Sequence, residues 1–175
     1  MRKYILFIII ILAVVALDQY TKFWAETNLA DGQVHQVWGT FFQVKLLYNV
    51  GGVMGSSLGG SMFYLISSLF VFAFVMYFLY TYRNLIVVAI PMCIIAGGAI
   101  GNIIDRIRLG QVIDFLDFDF FNINIGSFHL DRWWTFNISD AAISVGVIWL
   151  ILYLLFAHRV QRPENTAITK DSTPA

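Results

Sequence analysis

The residues best suited to chemistry in this 175-residue chain are two aspartates, Asp114 and Asp140. Asp114 stands in Val112-Ile113-Asp114-Phe115, flanked by apolar residues and with no basic neighbour in sequence. Asp140 stands in Asn137-Ile138-Ser139-Asp140-Ala141, at the mouth of a long apolar run. Two carboxylates held close in a partly dry site share a proton, so that one stays a base and the other an acid. Such a pair activates water and protonates a leaving amine, which is peptide hydrolysis by general acid–base catalysis. Each residue also has a plainer reading. Asp114 is then a solvated loop acid beside Asp117, Asp119 and Asp131. Asp140 is then a carboxylate welcomed at a helix start, with Asn137 or Ser139 as the N-cap. Spacing alone does not bring the two together.

A second polar group, Gly101-Asn102-Ile103-Ile104-Asp105-Arg106, comes straight out of an apolar run. Positions 98, 101, 102 and 105 share one helix face, so Gly98, Gly101, Asn102 and Asp105 form a small, polar stripe with Arg106 beside it. This stripe is either a helix end closed by an Asp105–Arg106 ion pair or a polar floor beneath a site. On the second reading Asn102 makes hydrogen bonds, and Arg106 ties down loop carbonyls or carboxylates. Asp18 and Lys22 form an i, i+4 pair about 21 Å along a helix from Tyr4, within hydrocarbon depth, where ionisable groups must be paired or used. Lys22 keeps Asp18 ionised and occupied, so the pair reads as a salt bridge holding this helix to its neighbours.

Other hydrolytic designs lack their parts. There is no His-Glu-x-x-His helix or Gly-x-Ser-x-Gly elbow, and His35, His129 and His158 are far apart. Gly51-Gly52-Val53-Met54-Gly55 has no strand–helix frame for a phosphate loop. The one cysteine, Cys93, lies in an apolar run and reads as a packing thiol. Neither metal, cofactor nor nucleic acid is expected.

The elements that must position these residues are membrane spans. The chain is 59% hydrophobic, 17% aromatic and only 13% charged, with a mean hydropathy of +0.74. Soluble domains carry roughly 25% charge, so a soluble enzyme is excluded. Residues 4–24 cover about 30 Å and continue in helical register without a cleavage site, which makes them a retained first span, not a signal peptide. Further spans fall at 62–80, 85–104 and 140–158. Pro91 should kink the third locally, and the pair Gly97 and Gly101 admits a close neighbour.

Between them, loops 25–61 and 105–139 carry partial alternation at 40–48, 118–120 and 122–126, which predicts short strands. The stretch 112–136 is not helical. Trp133 and Trp134 fit an interfacial aromatic belt. Residues 161–175 are polar and aperiodic, and are expected to be a disordered cytoplasmic tail behind a domain of 1–160. Arg2, Lys3, Arg83, Arg159 and Arg162 gather on one side, which the distribution of basic residues assigns to the cytoplasm. Lys45, Arg106, Arg108 and Arg132 fall on the opposite side. The expected fold is an all-α four-transmembrane-helix bundle with a small extracytoplasmic β-rich cap and every candidate residue facing outward.

The motifs Asp18-x-x-x-Lys22, Asn49-x-Gly51, Gly101-Asn102-x-x-Asp105-Arg106, Val112-x-Asp114-Phe115 and Phe136-Asn137-x-x-Asp140-Ala141 stand in order around the four spans. With them the chain resembles the bacterial lipoprotein signal peptidase (signal peptidase II) family over about its first 158 residues. The resemblance implies a multi-pass inner-membrane aspartyl endopeptidase. Its substrates would be diacylglyceryl-modified prolipoproteins, cut on the amino side of the lipidated cysteine, with the signal peptide and lipid held among the helices within the bilayer. Asp114 and Asp140 match the catalytic pair, and Asn102, Arg106 and Asn137 match supporting positions. Asn49, Gly51 and Asp105 complete the supporting and substrate-binding set, and Asp18 and Lys22 remain a structural polar pair. The chain departs from the family where Asn-x-Gly usually continues Ala-Phe-Gly and here reads Gly52-Val53-Met54-Gly55. The competing class is a small transporter or lipid-binding membrane protein. A transporter needs polar groups through the midplane, where the second and fourth spans offer little beyond Ser67, Ser68 and Ser144.

Overall fold

Apolar runs of this length leave the backbone no partner but itself, and each of the four forms a helix. In chain order the elements are α1 (Arg2–Asn28), β1 (Val34–Trp38), β2 (Phe42–Asn49), α2 (Ser61–Thr81), α3 (Ile86–Leu109), β3 (Val112–Phe118), β4 (Ile123–Ile125), β5 (Phe128–Leu130) and α4 (Ile138–Val160). The structure, a computed structural model, describes residues 1–29, 33–51, 60–119, 123–125, 128–130 and 132–160. All four helices are long and apolar enough to cross a membrane, and the protein is a multi-pass membrane protein.

The central helix is α3: 67% of its apolar window is buried, against 11%, 17% and 6% for α1, α2 and α4. Its glycines are the cause. A Cβ at Gly97 would lie 2.7 Å from Val14 of α1, and one at Gly98 would lie 2.9 Å from Ile143 of α4. Bare backbone thus lets both neighbours close on α3, the packing that lipid-embedded helices rely on. The outer helices turn Phe70, Tyr77, Leu154 and similar side chains outward. Cys93 is buried beside Phe7, Leu79 and Ala89.

Polar contacts fix the order of the helix ends. Lys3 donates to Asn84 in the α2–α3 turn, and the Ser61 hydroxyl at the start of α2 donates to the Gly110 carbonyl just past α3. The bundle therefore runs up and down. The last turns of α1 and α3 share one end with the first turns of α2 and α4.

The sheet packs at that end. It is antiparallel in the order β1-β2-β3, and β2 pairs with β3 in the register Asn49↔Val112, Leu47↔Asp114 and Val44↔Leu116, with an irregularity between Val44 and Leu47. Val44, Leu46, Ile113 and Phe115 bury against Ala25 and Leu29 at the end of α1, with Ile138 of α4 beside them. Phe136 stitches the free edge of β3 to the entry of α4: its carbonyl accepts from Leu116 (2.8 Å) and its N–H donates back (3.0 Å). β4 and β5 form a separate hairpin.

Three boundaries differ from the sequence reading. α1 runs to Asn28, beyond residue 24, because the sheet core receives Ala25 and Leu29. α3 continues past 104 to Leu109, ending where Gly110 takes a left-handed φ of 73°. β1 was not expected, and its five residues are all exposed, so no alternation announces it. The expected strand at 40–48 is β2, Phe42–Asn49. The 161–175 stretch and the Gly52-Val53-Met54-Gly55 departure lie outside the described residues.

Candidate active site

Asp140 is fixed by helix capping. Asn137 caps α4, its Oδ1 accepting from the Asp140 N–H at 2.9 Å, while Asp140 Oδ2 accepts from the Asn137 N–H at 3.4 Å. This is a reciprocal capping box with aspartate as the third helical residue. The other carboxylate oxygen, Oδ1, accepts from Asn102 Nδ2 of α3 at 2.8 Å.

Asp114 is fixed by the sheet. It lies on β3 and is only 2% exposed. Its Oδ2 accepts from Asn49 Nδ2 at the end of β2 (3.0 Å), and its Oδ1 from Asn137 Nδ2 (2.8 Å). Asn49 Oδ1 in turn accepts from the Gly51 N–H at 3.0 Å, a local turn that orients the amide. One fully buried side chain, Asn137, thus holds both aspartates, and it also reaches Asn102 Oδ1 and the Ile113 carbonyl at 3.2 Å each. Burial, then the charge of Asp140, pushes the Asp114 carboxyl up to about 7, against the pull of the Asn49 and Asn137 hydrogen bonds and of Lys22. Arg106 stands within electrostatic reach of Asp140 and Asp114, and its Nη1 donates to the Asn102 carbonyl at 3.3 Å.

Beneath the aspartates lies a buried ionic cluster. Lys22, 1% exposed, contacts Asp18 at 2.9 Å, Asp105 at 2.8 Å and Asn102 Oδ1 at 2.9 Å. The Asp18–Lys22 pair expected from the sequence forms. Asp105, however, pairs with Lys22 and not with Arg106. Consecutive helical residues point apart, and a buried ammonium needs the anion more than a half-exposed guanidinium does. Asp105 is accordingly buried under the site and is not at its surface.

Two residues escaped the sequence reading. Gln19 Nε2 lies within reach of Asp18 Oδ2 (3.2 Å), the Gly101 carbonyl (3.2 Å) and Asp105 Oδ1 (3.1 Å); a glutamine inside a span was itself a signal that partners were waiting. Asp117, grouped above with solvated acids, is buried between Lys45 (2.9 Å) and Arg132 (3.0 Å). Beside Asn49 opens a cleft of about 280 Å3 lined by Tyr48, Val50, Gly51, Trp134 and Thr135. No group of three or more His, Cys, Asp or Glu side chains among the described residues is arranged to hold a metal ion.

Fold and site together define a class: a four-span membrane protein whose polar residues converge at one end of the bundle, around two carboxylates under a small sheet. The family described as signal peptidase (SPase) II matches residues 10–156, and the chain belongs to it, a family of proteases. The chain is 34% identical over 160 residues to a lipoprotein signal peptidase of Syntrophus aciditrophicus, covering 88% of this chain and 94% of that one. It is 36% identical over 144 residues to that of Burkholderia thailandensis, covering 80% and 81%. Its fold matches a bacterial membrane enzyme solved by the in meso method, with a TM-score of 0.79 at 27% identity, over 90% of this chain and 92% of that one. Membership in a protease family answers the transporter alternative.

Proposed function

We propose that the protein is an aspartyl endopeptidase of the inner membrane that removes the signal peptide from diacylglyceryl-modified prolipoproteins, cutting on the amino side of the lipidated cysteine. The observation that carries this reading is the joint seating of Asp114 and Asp140 on Asn137. With Asp114 near 7 and a second carboxylate beside it, the pair holds one proton at neutral pH. The ionised member takes a proton from water, and the hydroxide equivalent attacks the scissile carbonyl. The protonated member gives its proton as the carbon–nitrogen bond breaks, so that the amine leaves neutral. Asn49, Asn102 and Asn137 hold the carboxylates in place, and Arg106 adds positive charge beside them. The cleft at Tyr48, Val50 and Trp134 opens next to Asn49 and is suited to the peptide flanking the cut. The signal peptide and acyl chains lie among the apolar faces of the bundle, so membrane lipids are its constant partners.

The test is cleavage of a lipid-modified precursor by purified protein with chelator present. Asp114→Asn and Asp140→Asn should each lower turnover by roughly 10²–10⁴-fold in a folded protein. The double variant should be hardly worse than either, because the two act as a unit. A precursor lacking the lipid should be a poor substrate. Substantial turnover by either single variant, or its loss with the chelator, would overturn the proposal.

A further inference from the structure

The buried cluster below the aspartates has three arms, and each ends one step from the dyad. Asp18 Oδ1 accepts from the N–H of Ser139, the residue before Asp140, at 2.8 Å. Asp105 Oδ2 accepts from the N–H of Ile113, the residue before Asp114, at 3.2 Å. The third arm is Asn102, whose Oδ1 takes a hydrogen bond from Lys22 at 2.9 Å and whose Nδ2 therefore faces Asp140. An asparagine amide is ambiguous between its two ends, and a cation on one end removes the ambiguity. Among the described residues Gln19 reaches two of the arms, Asp18 and Asp105, and the ammonium of Lys22 reaches all three, its three protons meeting Asp18, Asp105 and Asn102.

We infer that Lys22 is a positioning residue for the peptidase reaction: it clamps the backbone ahead of each aspartate through Asp18 and Asp105, and sets the amide of Asn102 toward Asp140. Asp114 and Asp140 arrive on elements from different halves of the site, a strand and a helix. Neither the sheet nor the α4 cap alone fixes their separation. Asn137 joins the two directly, and the Lys22 ammonium ties together the supports behind both; with Lys22, Asp18 and Asp105 at most 1% exposed, that second tie is shielded from solvent. This inference rests on the reading of Asp114 and Asp140 as the catalytic pair.

Lys22→Met leaves two buried carboxylates without their cation and is the variant most prone to misfold. The companion variant is therefore Lys22→Met with Asp18→Asn and Asp105→Asn, which keeps shape and removes all buried charge from the cluster, a replacement that stability often tolerates. In the triple variant the amide oxygens still accept from Ser139 and Ile113, but the cationic tie is gone and, among the described residues, only Gln19 is left to bridge positions 18 and 105. The expected result is a folded protein with KM within about threefold of wild type and kcat per folded molecule lowered by about 10–100-fold; because loss of folded protein also lowers apparent kcat at unchanged KM, the folded fraction is measured separately by thermal unfolding. Lys22→Met, measured on its folded fraction, adds a pH readout. The charges facing Asp114 are Asp140 on α4, Lys22 on α1 and Arg106 on α3. Without Lys22 the Asp114 carboxyl keeps its proton to higher pH, so the alkaline limb of the rate profile, where the shared proton is lost, should move to higher pH.

Asp114→Asn in the same assay separates the two levels. If it stays active, the catalytic reading fails. If it is inactive while the folded triple variant turns over at the wild-type rate, or if neither Lys22 variant folds, only the positioning role is overturned.

Discussion

At the residue scale the protein concentrates its strain of charge on Asp114. Its carboxyl sits at about 7 in the folded state and near 3.8 when free. A group with a raised folded value contributes stability that is complete below the free value and lost as pH rises through the folded one. Asp114 thus works against folding above neutral pH, where it is mostly ionised. Asp114→Asn should be more stable than wild type at pH 8, by on the order of 1–3 kcal/mol, and equal to it near pH 4. Thermal unfolding in one detergent at both pH values measures this, and a variant that melts at or below the wild type at pH 8 contradicts it. Asp140, Asn137 and Asn102 were legible in sequence as polar residues at the ends of apolar runs, Asp114 as an acid between apolar neighbours, and Asn49 only through the family motif. Their connections were not. That Asn137 grips Asp114 as well as capping α4, and that Asp105 turns to Lys22, depends on packing between segments far apart in the chain.

At the scale of elements, α3 is the axis, and its small residues set where α1 and α4 can stand. The stripe of Gly98, Gly101 and Asn102 was visible as helical spacing, but not which neighbour each would meet. Gly98 faces the backbone carbonyl of Ser139, where a Cβ would come within 2.5 Å, and Ile143 of the same helix. Backbone cannot swing aside as a side chain can, so Gly98→Ala should lever the first turns of α4 away from α3. Overpacking of this kind costs about 1–3 kcal/mol. Because Asp140 rides on that turn, kcat should fall more than the loss of folded protein explains. Melting temperature and turnover per folded molecule together measure it; an alanine variant with both unchanged would show that α4 is free to shift. The strands were less readable than the helices for a physical reason. β3 is buried on both faces, and β1 on neither, so the alternation that marks a half-buried strand appears in neither.

At the scale of the whole molecule the remaining choice is which end of the bundle faces the cytoplasm. A count of basic residues in the sequence favours the end of Arg2, Lys3 and Arg83, to which Arg159 and Arg162 after the fourth apolar run add two, over the four at the other, Lys45, Arg106, Arg108 and Arg132. The fold explains why the second set is there. Lys45 and Arg132 neutralise the buried Asp117, and Arg108 pairs with Glu26 at 2.6 Å, so these charges hold the sheet end together. Arg106 stands beside the two aspartates. At the opposite end Lys3 bonds to Asn84, a neutral partner, and keeps its charge. The sheet end should therefore face outward, placing the aspartates where exported precursors arrive. The check is accessibility of single cysteines in a Cys93→Ala background, which removes a buried thiol. In intact cells a membrane-impermeant maleimide should label Trp38→Cys, on the exposed β1 strand, and should label Asn84→Cys only after the membrane is opened. Labelling of position 84 from outside would invert the molecule in the membrane, and with it the side from which substrate must come.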